Sequence, residues 1–166
     1  MNEVKNNKTI NLSEHMTLGE VTKSRHTEID NIPSHVAIEN LKRVCTWLEE
    51  LRFTYNTLYC LKPGEDYETS ENVVPIVINS GYRSPQLNKK VGGSPTSNHL
   101  TGCAVDIRVA GIEQAMRYAV ILMDYADETK QDYDELLIER NKNGGYWLHF
   151  AVRPKENRRK TMFIQT

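Results

Sequence analysis

The chain has 166 residues, room for one sizeable core and too little for two comfortable domains. Charged residues make up 26% of it, yet the net charge is −1, so no strong field points to nucleic acid or an anionic membrane surface. No apolar stretch approaches the length of a membrane span, and the polar start, Met1 to Lys8, lacks the apolar run of a signal peptide.

Residues 1–11 are Asn- and Lys-rich and read as a loose segment ahead of a single domain at 12–166. Thr17-Leu18-Gly19-Glu20 fits a capping box, which predicts a short helix. His15, His26 and His35 lie around it without metal spacing and read as structural. Pro33-Ser34 then opens a helix expected over 35–53. Ile38, Leu41, Cys45, Leu48 and Leu51 recur at three and four positions and make one apolar stripe to back a sheet. The acidic, turn-rich run 61–72 reads as a tolerated surface loop rather than a lid.

Val73 to Asn79 reads as a strand that runs into Ser80-Gly81-Tyr82-Arg83. Gly81 permits a turn that throws Arg83 toward a site. A guanidinium offers a planar fork of donors suited to a carboxylate or an oxyanion. Next comes Ser97-Asn98-His99-Leu100-Thr101-Gly102-Cys103-Ala104-Val105-Asp106, with its His and Asp seven positions apart. Cys103 falls on the face of Val105 and reads as core; with Cys45 and Cys60 it cannot form a full set of disulfides, so reduced thiols in a cytoplasmic product are expected. Ile112, Ala115, Met116, Ala119, Val120 and Met123 predict a helix over 112–126, its methionines core filler. Leu136-Leu137-Ile138-Glu139 reads as a strand, Asn143-Gly144-Gly145 as a hairpin turn, and Tyr146 to Val152 as the returning strand that carries His149. The charged tail, Lys155 to Lys160, reads as a solvated end or short edge strand.

Side chains alternate along a strand, so Val105 and Ile107 enter the core while Asp106 faces away, and His149 stands opposite Leu148 and Phe150. Two neighbouring strands therefore offer Asp106 and His149 on one face, with His99 on the loop that closes over them. Two imidazoles and a carboxylate are three protein donors, which leaves a tetrahedral ion one open position, the pattern of a catalytic zinc. Spacing alone leaves a second reading open, hydrogen-bonded residues of an ordinary core, although an Asp is disfavoured in a strand and costly to bury unpaired.

These residues resemble the zinc D-Ala-D-Ala carboxypeptidases and L-Ala-D-Glu endopeptidases of peptidoglycan. Asn79-Ser80-Gly81-Tyr82-Arg83-Ser84 is similar to that family's Ser-Gly-Tyr-Arg-Ser segment, Val91-Gly92-Gly93-Ser94-Pro95-Thr96 to its lead-in to the His, and Trp147-Leu148-His149 to its Trp-x-His. The opening Leu12 to Leu18 is similar to a compact subgroup of phages and bacteria, so the likeness spans about 12–152. The resemblance implies one zinc ion held by His99, Asp106 and His149, and Arg83 to polarise the scissile carbonyl and stabilise the oxyanion. It implies Ser97 beside the substrate, and the stem peptide of peptidoglycan as that substrate, reached after lysis or by another export route. It implies an α+β fold: a small antiparallel sheet, with strands near 75–79, 104–109, 135–139 and 146–152, packed on the two long helices. The zinc is expected on the sheet face away from them, as in Hedgehog and D-Ala-D-Ala peptidase domains.

One departure matters. Many members of that family place a Glu three positions before the final His, where this chain has Tyr146. The nearest carboxylates are Glu135 and Glu139, and Glu139 is the candidate general base, with a plain surface charge at a strand end as the other reading. Without a base the domain would be a non-catalytic zinc-containing module that binds cell wall or peptide; a third reading keeps the fold and changes the amide or peptide cut.

Overall fold

Val105 and Ile107 alternate with Asp106, and Leu148 and Phe150 with His149, so each segment has one apolar edge to bury. In the computed structural model, which describes residues 8–166, all four apolar side chains are buried. The elements in chain order are helices α1 (Leu18–Thr22) and α2 (His35–Tyr59), strand β1 (Ile78–Ser80), helix α3 (Pro85–Lys90), a 3₁₀ turn (Asn98–Thr101), strand β2 (Ala104–Arg108), helix α4 (Ile112–Thr129), and strands β3 (Glu135–Arg140), β4 (Tyr146–Ala151) and β5 (Lys160–Gln165). The sheet order is β1-β2-β4-β3-β5, and α2 and α4 pack on each other and on one face of it. Trp47 of α2 fills the space between, edge-on to Tyr125 of α4 and tilted against Phe150 of β4. The other sheet face carries Asp106 and His149, directly opposite each other in the β2–β4 register. Among the described residues no helix is long and apolar enough to cross a membrane.

The predicted capping box forms: Thr17 Oγ1 accepts from Glu20 N, and Glu20 Oε2 accepts from Thr17 N at 2.8 Å. The first seven residues of the segment expected to be loose lie outside the described residues. From Lys8 onward the backbone is tied to α1, with Leu18 N donating to Ile10 O at 2.8 Å. Helix α2 runs six residues past its predicted end at 53. Asn56 then ties its last turn to the chain leading into the sheet, accepting from Val74 N at 2.7 Å and donating to Val74 O at 2.9 Å. Strand β1 begins at Ile78, later than predicted, and its register against β2 shifts between Ile78 and Ser80. The 61–72 loop docks on the outer side of α2, where Tyr67 packs edge-on against Phe53 and under the Arg52 guanidinium.

The sheet is mixed, not antiparallel throughout. Strands β1 to β4 pair antiparallel, but an edge strand that was not predicted, β5, starts at the last residue of the charged 155–160 run and pairs parallel with β3 along its whole length. The segment that leads into β5 is anchored by Asp134, a fully buried carboxylate at the foot of β3. It takes an ion pair from Arg153 at 2.9 Å and two hydrogen bonds from the Arg158 guanidinium at 2.9 and 2.7 Å. These gather the 153–159 loop beneath the sheet and release the chain upward beside β3. Burial alone would raise the Asp134 carboxyl, but Arg158 and Asn98 hold it down, from 3.8 to about 2. A depressed folded pKa contributes stability that is complete above the unfolded value and is lost as pH falls toward the folded one. Asp134→Asn is therefore expected to lower the neutral-pH Tm by about 5 °C or more, and to flatten the loss of Tm between pH about 4 and about 2. Thermal melts of both proteins across that range check it.

Candidate metal centre

Three elements deliver the three donors. Asp106 sits at the middle of β2 and His149 at the middle of β4, and strand pairing alone brings them together. His99 comes from the 3₁₀ turn, which Ser97 caps by accepting from His99 N at 3.3 Å. The turn closes on Gly102 at φ 73°, and a Cβ there would meet the Ala37 carbonyl of α2 at 2.4 Å, so only glycine lets the loop lie so close to the helix. The three donor atoms lie within 4.8 Å of one another. His149 Nδ1 is 2.9 Å and His99 Nε2 3.3 Å from the same oxygen, Asp106 Oδ1. Two donors each about 2.1 Å from a tetrahedral zinc stand roughly 3.4 Å apart, so the set fits that ion with small adjustments.

Hydrogen bonds on the outer side of each ring fix which nitrogen points inward. His99 Nδ1 donates to the Gly81 carbonyl at 2.6 Å, which leaves Nε2 for the centre. Gly81 is held in turn: a Cβ on it would strike the Val21 carbonyl at 2.2 Å, and the next amide, Tyr82 N, donates to that carbonyl at 2.7 Å. His149 Nε2 meets Glu135 Oε2 at 3.2 Å, which leaves Nδ1 for the centre. Both rings are almost fully buried. Asp106 Oδ2 accepts from Arg83 Nη2 at 2.7 Å, and Arg83 Nε donates to Ser80 Oγ at 2.9 Å.

The charges follow from this geometry. Burial opposes ionisation of Asp106, but the two imidazoles hold its carboxyl far below the usual carboxylate range. Burial opposes protonation of His149 too, yet the carboxylates of Asp106 and Glu135 raise it from 6.5 to about 9. His149 and Asn98 hold Glu135 down at about 2. Glu139 is different. It shares the sheet face of His149, one pair along in the β3–β4 register opposite Trp147, and its carboxylate has no hydrogen-bond or ion-pair partner among the described residues. Burial pushes it up from 4.5 against the pull of His149.

The structure thus brings Arg83, Ser97, His99, Asp106, Glu139 and His149 into one neighbourhood. The hydroxyl of Ser97 is engaged with the turn. Cys103 lies in the buried layer below, its thiol pushed up by burial. Sequence reasoning passed over the partner roles of Glu135, Asn98 and Asn31. Asn98 donates to both Asp134 (2.7 Å) and Glu135 (3.1 Å). Asn31 donates to the Thr22 and Tyr82 carbonyls and accepts from Ser84 N, which pins the Tyr82-Arg83 bend. A signal for Glu135 was present: residues 135, 137 and 139 fall on one face of their strand. Asn31 had none, being 51 residues from Tyr82.

Residues 65–132 match a family model described as Peptidase M15. The matched stretch holds Arg83, Ser97, His99 and Asp106, and ends before Glu135, Glu139 and His149. A comparison with curated proteins gave no match. The missing third donor is supplied by the fold, as the partner of Asp106 across β2 and β4. Over residues 65–132 the chain is thus similar to the M15 peptidases.

Proposed function

We propose that the protein is a zinc-dependent peptidase that hydrolyses peptide bonds of the peptidoglycan stem peptide, as a D-Ala-D-Ala carboxypeptidase or an L-Ala-D-Glu endopeptidase. The observation that carries this reading is the convergence of His99 Nε2 and Asp106 Oδ1, which lie within the M15 match, with His149 Nδ1, which lies beyond its end. Bound at these atoms, a zinc ion supplies Lewis acidity: it polarises a carbonyl and brings the pKa of a water to about 7.

The rest is the work of this chain's own side chains. Arg83, fixed by Ser80 and Asp106, presents a cation at the edge of the centre, where negative charge develops on the carbonyl oxygen. Glu139 takes the proton of the attacking water and passes it to the leaving amine, a role that suits a carboxylate free of partners and raised by burial. Glu135 keeps the His149 ring oriented. Ser97 holds the His99 turn, and the family resemblance makes it a substrate contact. The alternative, a non-catalytic zinc-containing module, draws on Tyr146 standing where a Glu is common. Glu139 on the same face as His149 weighs against it.

Mass spectrometry of stem-peptide fragments, incubated with zinc-loaded protein and with a chelated control, tests the proposal. Loss of a terminal alanine marks a carboxypeptidase, and a cut after the first L-Ala an endopeptidase. Zinc bound without any product would favour the module.

A further inference from the structure

Beside Arg83 the surface opens into a groove of about 720 Å³. Its lining includes Lys23, Arg25, His26, Arg83 and Arg108, and no Asp or Glu. A chain of net charge −1 has no general surplus of cations, so this concentration is local. Elsewhere in the fold Arg117, Arg153, Arg158 and Arg159 each meet a carboxylate, while Arg43 and Arg52 are taken up by neutral side chains and Arg140 lies over the Tyr146 ring. Lys23, Arg25 and Arg108 have no carboxylate within ion-pair distance among the described residues; Arg108 donates only to the Asn79 side chain at 3.3 Å. Several unpaired cations facing one concavity repel each other, and low-dielectric walls focus their field on whatever enters.

The groove meets the metal centre at Arg83. Arg83 belongs to both, lining the groove while its Nη2 lies 2.7 Å from Asp106 Oδ2. Arg108 stands two residues after Asp106 and so on the same sheet face. The opposite wall is the 23–26 segment after α1, anchored because Val21 O accepts from Tyr82 N. The volume suits a few residues of a peptide. Guanidinium forks match carboxylates in shape as well as charge.

The geometry points to this groove as a subsite for the carboxylates of the peptide substrate, holding an anionic segment of the chain whose neighbouring bond lies at the metal centre. This rests on the peptidase reading and goes beyond it by assigning Lys23, Arg25 and Arg108 to substrate recognition. The test compares zinc-loaded wild type with the Lys23→Gln/Arg25→Gln double variant, on a stem peptide with free carboxylates and on the same peptide amidated. KM for the free-acid peptide is expected to rise about tenfold, the size of one charge-assisted hydrogen bond, with kcat and zinc content unchanged. The amidated peptide is expected to show no difference between the two proteins, and added salt to narrow the gap. Equal effects on both peptides, or none on either, would overturn the assignment. Calorimetric titration of both peptides separates this from failure of the peptidase reading. If neither peptide is cut but the free acid binds tighter in wild type only, the groove stands without the peptidase. If pyrophosphate displaces the free-acid peptide at lower concentration than unlabelled peptide does, the groove is a phosphate site and the assignment falls.

Discussion

Alanine at His99 or at His149 is expected to remove bound zinc and hydrolysis together. Each ring is almost fully buried, and each has its outer nitrogen occupied, by the Gly81 carbonyl and by Glu135. Truncation therefore deletes a donor that no neighbouring side chain is placed to replace. The loss of affinity should exceed the roughly 10–100-fold cost of removing an outer-shell partner. Competition with a chromophoric chelator measures it, and retained wild-type affinity in either variant would remove that residue from the donor set. The same site makes a pH prediction. With His149 raised to about 9 before metal binds, its Nδ1 carries a proton at neutral pH that must leave when zinc arrives. Zinc affinity should therefore rise with pH up to about 9, and titrations at pH 7 in buffers of different ionisation enthalpy should show close to one proton released per ion.

Glu139→Gln and Glu135→Gln are expected to fail in opposite ways. The two carboxylates flank Leu137 on one face of β3, and both lie near His149. Glu135 is spent on His149 Nε2, Asn98 and Arg158. Glu139 has no hydrogen-bond or ion-pair partner among the described residues. Removing the charge of Glu139 should leave zinc affinity near wild type and lower kcat by about 10²–10⁴, the usual worth of a general base. Removing the charge of Glu135 should instead weaken zinc binding by about 10–100-fold, with much of kcat recovered at saturating metal. The pH profile adds a check: burial raises Glu139 above 4.5, so the acid limb of kcat/KM should lie above that value. Full activity in Glu139→Gln would return the role of base to Glu135 or to a group outside the chain.

That Asp106 and His149 share one sheet face was legible because strand alternation is a local property. Asp106 amid Val105 and Ile107, and His149 amid Leu148 and Phe150, can bury their neighbours only by facing the other way. That also placed the site on the face away from α2 and α4. The capping box at Thr17 and the stripe on α2 were legible for the same reason. Glu139 was legible only as a carboxylate at the end of the Leu-Leu-Ile strand, next to the hairpin that carries His149. Its distinction from Glu135 was hidden, since both share a face and only the network beyond them differs. The parallel β5 was hidden too. Asp134 reads in the sequence as one more acid in a charged run, and nothing local says that it is fully buried and draws Arg153 and Arg158 beneath the sheet.

By itself, then, the sequence determined which side chains alternate, where turns can form, and which residue types a metal would find. Those depend on neighbours a few positions away. The tertiary structure alone decided which carboxylate holds a ring and which stays free, and how the tail returns through the sheet. It alone placed Lys23, Arg25 and Arg108 around one groove, 85 positions separating the first from the last. Such relations are set by burial and by pairing between distant segments, and their free energy exists only once the chain has closed on itself.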